Sequence, residues 1–178
     1  MTDAVELVIE SLDSVRIPAV IALARRIWQA HYPGIITQAQ IDYMLDQRYT
    51  PARLQAELAM PDVRWELARR AAGELVGFSS TIHLPAEREL KLDKLYVLPE
   101  LHGLGVGRAL VDSALRRAAT LDCQAMVLAV NKHNDQAIAA YRRLGFVVRV
   151  ASTTDIGGGF VMDDFIMARS LSATTAGQ

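Results

Sequence analysis

Leu90-Lys91-Leu92-Asp93-Lys94-Leu95-Tyr96-Val97-Leu98-Pro99-Glu100-Leu101-His102-Gly103-Leu104-Gly105-Val106-Gly107-Arg108-Ala109-Leu110 reads as a strand, a glycine turn and the start of a helix. Gly103, Gly105 and Gly107 remove the side chains that would hold a ligand off the backbone. The first amides of the following helix have no intrahelical partner and point outward. With the positive end of the helix dipole they form an anion site, and Arg108 adds a full charge. A pyrophosphate fits such a place. A helix entrance that needs tight packing would also use glycines, and the cluster alone does not decide between the two. Two nucleotide-binding patterns fail here. A dinucleotide turn needs G-x-G-x-x-G or a closing alanine. Counted from Gly103 the last position is Arg108, and from Gly105 it is Leu110. A P-loop needs Gly-Lys followed by Ser or Thr, and the sequence has none.

On the N-terminal side of this stretch, Leu7-Val8-Ile9 reads as the middle of a first strand. Pro18 suits the first turn of a helix whose apolar positions are Ile17, Val20, Ile21, Ala24, Ile27 and Trp28. Pro33-Gly34 breaks that helix, Thr37 caps a second, and Thr50-Pro51 starts a third that runs to about Met60. Val63 to Arg70, Glu74 to Leu84 and Leu90 to Leu98 are predicted strands. On the other side, a helix is predicted from about Gly105 to Leu121. Ala125 to Val130 is a short apolar run, expected of a strand covered on both faces. Asn134 caps a helix to Leu144 that Gly145 ends, and Phe146 to Val150 and Phe160 to Ala168 are the last strands. Helices interrupt one sheet, which gives an α/β fold with a mixed sheet. No repeat, low-complexity block or linker divides the chain. One domain over residues 1–171 is expected, with 172–178 a frayed tail.

Composition narrows the function. A chain of 178 residues, 51% hydrophobic, has material for a core that buries about 70% of its unfolded surface. The net charge of −1 argues against nucleic acid as the main partner, because phosphate binding needs a basic excess. The single cysteine, Cys123, excludes an internal disulfide and suits a reducing, cytoplasmic setting. The start, Met1 to Glu6, has no basic stretch followed by an apolar run, so no signal peptide is expected. Apolar windows fall well short of the roughly 20 residues of a membrane span, so no membrane partner is expected. The four histidines, His31, His83, His102 and His133, lack zinc-ligand spacing, and no metal is expected. The sequence carries no signal for an oligomeric state.

The glycine turn resembles the GNAT superfamily of N-acetyltransferases. Its acetyl-CoA motif is Arg or Gln, two residues, Gly, one residue, then Gly or Ala. His102-Gly103-Leu104-Gly105-Val106-Gly107 departs from it only at the first position. Leu95-Tyr96-Val97-Leu98-Pro99 looks like the fourth strand of that family. Asn134, Ala137, Tyr141 and Leu144-Gly145-Phe146 resemble its second cofactor motif. The resemblance implies a mixed, mostly antiparallel sheet flanked by helices, with acetyl-CoA as cosubstrate. It also implies cofactor contacts at Leu95, Tyr96, Val97, His102, Gly103, Leu104, Gly105, Val106, Gly107, Arg108, Asn134, Ala137 and Tyr141. Within the superfamily, Ile41 to Leu45 and Gly159 to Met167 look like a subgroup that includes bacterial polyamine acetyltransferases.

Candidate chemical groups follow. Tyr141 lies seven residues after Asn134, about two turns along one face. Spacing alone allows it to be core, since Ile138 and Leu144 also face inward. The resemblance makes it the general acid. Asp93 and Glu89, on or just before the strand leading into the turn, are candidate bases, or else members of a solvated face with Lys91 and Lys94. Cys123 is expected to be an inert core thiol. The expected reaction is transfer of acetyl from acetyl-CoA to a primary amine by direct attack in a ternary complex, the acceptor being a polyamine or a peptide amine. The alternative is an inactive CoA-responsive binding module. Four acids against five arginines between Asp13 and Glu57 make no acidic funnel for a polycation.

Overall fold

Thr37, Thr50 and Asn134, which the sequence marks as helix caps, each close a helix start in the computed structural model, which describes residues 6–171. The chain runs β1 (Leu7–Ser11), α1 (Ile17–His31), α2 (Gln38–Arg48), α3 (Pro51–Leu58), β2 (Val63–Arg70), β3 (Leu75–Leu84) and β4 (Glu89–Val97). It continues with α4 (Val106–Thr120), β5 (Ala125–Asn131), α5 (Asp135–Arg143), β6 (Val147–Gly157) and β7 (Phe160–Ser170). The Thr37 hydroxyl accepts from the Gln40 N–H at 3.2 Å and the Thr50 hydroxyl from the Arg53 N–H at 3.2 Å. Each satisfies one amide that the helix itself leaves open.

The strands form one sheet in the order β1-β2-β3-β4-β5-β7-β6. It is mixed and mostly antiparallel, the expected class: β1–β2, β5–β7 and β6–β7 are antiparallel, and β4–β5 is parallel. The parallel ladder joins Glu89–Lys91 to Ala125–Val127, the first three of the nine residues of β4.

The chain divides into two compact units. The first takes the chain up to Thr81 and Lys94–Ser113; the second takes Ile82–Asp93 and the chain from Ala114. In the first, Trp28, Tyr49, Trp65 and Phe78 are almost wholly buried, along with Ile41, Leu45, Leu54 and Leu67. In the second, Leu90, Met126, Phe146 and Met167 are buried to 1% exposure or less. β3, β4 and α4 each pass from one unit into the other.

Three local expectations need correction. β6 extends to Gly157, not Val150, and exposes most of its residues, so it offers no apolar alternation to read. β5 is not covered throughout: Ala129 is exposed between buried Leu128 and Val130. Short 3-10 turns at Ser14–Arg16 and Pro99–Leu101 lie where no helix was expected. The expected tail, 172–178, lies outside the described residues. No described helix is long and apolar enough to cross a membrane. Among the described residues, no group of three or more His, Cys, Asp or Glu is placed to hold a metal ion.

Candidate active site

In the first unit, the end of β4 is fixed where the Leu98 N–H donates to the Val76 carbonyl at 3.0 Å. Pro99–Leu101 makes one 3-10 turn, His102–Gly105 completes the bend, and α4 begins at Val106. Gly103 and Gly105 have φ of 81° and 87°, the left-handed region that side chains avoid. A Cβ on either would meet nothing within 4 Å. Conformation, not crowding, therefore demands glycine in the free protein, and the space above the turn is open. His102 Nε2 lies 3.0 Å from the Val97 carbonyl oxygen. A carbonyl only accepts, so that nitrogen carries the proton and ties the strand end to the helix entrance. The Arg108 side chain is 75% exposed, 3.9 Å from Asp112. The 15-residue α4 opens at Val106 with Arg108 in its first turn, and the first amides of a helix have no intrahelical partner.

Asn134, Ala137 and Tyr141 belong to the second unit, on α5 or at its cap. Asn134 is 5% exposed and its side-chain oxygen accepts from the Ala137 N–H at 3.3 Å. Tyr141 is half-buried, unlike the core residue Ile138. Its ring stands edge-on to Phe146 at 5.8 Å, and its carbonyl accepts from the Phe146 N–H at 3.0 Å. Glu89 and Asp93 lie on the stretch of β4 that belongs to this unit, and both are ion-paired. Arg149 reaches Glu89 at 2.8 Å and Lys91 reaches Asp93 at 3.0 Å. Glu89 stands eight residues before Val97, roughly 26 Å along an extended strand.

Spacing did not reveal a second group of residues in the first unit. The Tyr32 and Tyr96 hydroxyl oxygens lie 3.1 Å apart. The Trp28 ring sits 4.4 Å from Tyr32 and 5.6 Å from Tyr96, and Phe78 lies 5.5 Å from Tyr96. Lys94, whose side chain is 2% exposed, places Nζ 3.3 Å from Glu57 and 4.8 Å above the Trp65 ring. The Trp65 indole donates to Glu57 at 3.0 Å and Arg53 donates at 2.7 Å, so the buried carboxylate is compensated from three sides. Other acids of this unit are also engaged: Glu10 by Arg69 and Arg16, Asp46 by Arg25, Glu66 by Arg64, and Glu100 by Arg26. The hydrogen bond from Arg69, against the opposing effect of burial, holds Glu10 below the ordinary carboxylate range.

The sequence model of the acetyltransferase (GNAT) family matches residues 22–146. An uncharacterized N-acetyltransferase of Mycobacterium tuberculosis is 31% identical over 150 residues, spanning 84% of this chain and 94% of its own. The crystal structure of the PaiA N-acetyltransferase from Thermoplasma acidophilum, in complex with coenzyme A, superposes with a TM-score of 0.80. It is 24% identical and the match covers 93% of this chain and 99% of that one. The spermidine N-acetyltransferase from Vibrio cholerae, in complex with CoA and spermine, matches with a TM-score of 0.68 at 19% identity, over 93% of this chain and 95% of its own.

Proposed function

This chain belongs to the acetyltransferase (GNAT) family, and on that premise we propose that it transfers acetyl from acetyl-CoA to a primary amine by direct attack in a ternary complex. The observation that carries the reading is the strand, open glycine turn and helix start at the end of β4. We read residues 1–171 as one acetyltransferase domain. The single buried thiol, Cys123, fits a cytoplasmic setting.

In this reading the amides from Gly103 to Arg108, with the Arg108 charge, hold the pyrophosphate. The backbone of Leu95–Val97 pairs with the pantetheine as an added strand would. Asn134 and Ala137 bear on the cofactor from α5. Bound acetyl-CoA supplies a thioester. The amide near Val97 donates to the carbonyl oxygen as that oxygen gains charge. An alkyl amine of pKa about 10.4 is mostly protonated at pH 7, with about one molecule in a few thousand neutral. A base must therefore take a proton. Asp93, through water, is the candidate, with Lys91 engaging its carboxylate; Glu89 stands too far along β4 to reach the amine beside Val97. Tyr141 donates to the departing sulfur, whose thiol has a pKa of roughly 8.5.

Polyamines are the first acceptors to test, on the resemblance and on the spermine-bound Vibrio cholerae relative. The arginine partners of Glu10, Asp46, Glu66 and Glu100 favour a second reading, an acceptor with one amine such as a peptide amine. A panel of amines with acetyl-CoA, followed by free CoA release, tests both. Turnover of spermidine supports the first; turnover of a peptide amine with spermidine inert supports the second. A protein stabilised by acetyl-CoA, but not by NAD or ATP, that releases no CoA with any amine is the CoA-responsive module instead.

A further inference from the structure

Tyr32 closes the C-terminal end of α1, its N–H donating to the Trp28 carbonyl, and its hydroxyl meets that of Tyr96 from 64 residues away. Both tyrosines are half-buried, while the rings beneath them, Trp28 and Phe78, are almost wholly buried. The two tyrosine rings thus pack on a buried aromatic base while part of each tyrosine stays accessible, and their hydroxyl contact is only part-buried. Alternate residues of a strand face opposite sides, so Lys94 and Tyr96 share one face of β4 and Val97 lies on the other. The Val97 side is full. A Cβ on Gly77 would come within 3.3 Å of Val97 Cγ2 and 3.4 Å of Val106 Cγ1. An amine that reacts beside Leu95–Val97 therefore approaches from the side of Tyr96.

We propose that Tyr96 Oη receives an N–H of the acceptor amine, and that Tyr32 is a positioning residue which holds the hydroxyl proton of Tyr96 away from it. This rests on the acetyl-transfer reading above. A neutral amine has one lone pair, which must stay free for the thioester carbon, and N–H bonds that seek acceptors. A phenol oxygen accepts, but its own proton is a donor. Aimed at the amine, that proton would occupy the lone pair and silence the nucleophile. At 3.1 Å, Tyr32 Oη can take it instead, leaving the Tyr96 oxygen to accept from the amine. Neither tyrosine gains or loses a proton, and the proton of the amine still leaves to the base.

The test is steady-state kinetics of CoA release with the best amine of the panel, for wild type, Tyr96→Phe and Tyr32→Phe, alongside acetyl-CoA affinity and Tm. Both changes keep the ring. Tyr96→Phe is expected to raise the KM for the amine about tenfold. Tyr32→Phe is expected to lower kcat about tenfold while leaving the amine KM within about twofold. Acetyl-CoA affinity should hold in both, because the pantetheine pairs with backbone. Amine kcat and KM within about twofold of wild type in both variants would overturn the inference alone. So would an equal loss of Tm and acetyl-CoA affinity in both, which marks a packing role. A wild type that binds acetyl-CoA and acetylates no amine overturns the transfer reading, and this inference with it.

Discussion

Removing one oxygen from Tyr141 separates its two readings. Tyr141→Phe keeps the edge contact with Phe146. If the hydroxyl protonates the leaving sulfur, kcat falls by about 10²–10⁴-fold with acetyl-CoA binding nearly intact. A variant that turns over at the wild-type rate across pH reduces Tyr141 to packing. Cys123 gives a second residue-scale prediction. Burial pushes its thiol above the ordinary value, so little thiolate exists near pH 8. A thiol reagent should label it slowly in the native protein and rapidly after denaturation; fast native labelling would contradict its burial. At this scale the glycine turn was legible because the backbone chemistry lies within a few consecutive residues. The Tyr32–Tyr96 pair was not, since its partners are brought together only by folding. Asp93 and Glu89 were legible as acids, but the cations that engage them were only half so. Lys91 is two residues from Asp93, whereas Arg149 belongs to β6.

Glycine at two positions of the β3–β4–α4 region answers different demands. Gly77 on β3 is a matter of space: a Cβ there would sit 2.9 Å from the Tyr96 carbonyl oxygen, a backbone atom rather than the end of a flexible side chain. Gly77→Ala should therefore destabilise the fold by about 1–3 kcal/mol, measured by chemical denaturation; unchanged stability would mean that β4 can yield there. Gly105 is a matter of conformation, with open space around it. Gly105→Leu should cost about 1–2 kcal/mol of stability, yet abolish most acetyl-CoA binding by filling the place of the phosphates. Normal binding to a folded Gly105→Leu protein would move the site elsewhere. Elements with strong local signals were legible to within a residue or two, α3, α4 and β2 among them. β6 was not, because the apolar run ends at Val150, whereas Ser152, Thr153, Thr154 and Asp155, mostly exposed, continue the strand paired with β7.

Across the molecule, a carboxylate in each unit is held below its ordinary range: Glu10 through Arg69, and Asp163 through Lys132. A lowered folded pKa contributes stability that is present above the unfolded value, about 4.3 for Glu and 3.9 for Asp. It is lost as pH falls through the folded value. Glu10→Gln should therefore lose less Tm than wild type between about pH 5 and pH 3; parallel curves would show that the pairing contributes nothing. Because β3, β4 and α4 each run through both units, neither unit is an independent stretch of chain. That continuity implies joint melting. The protein carries its own means of checking it. Both tryptophans, Trp28 and Trp65, belong to the first unit, one beside Tyr32 and Tyr96 and the other under the Lys94 ammonium. Indole emission is thus a local light, blind to the second unit, whereas far-ultraviolet dichroism sums over every helix and strand. If the two optical traces of a melt coincide, one cooperative event has been watched from two vantage points; if the light fails first, the half of the protein that holds the tyrosine pair lets go on its own.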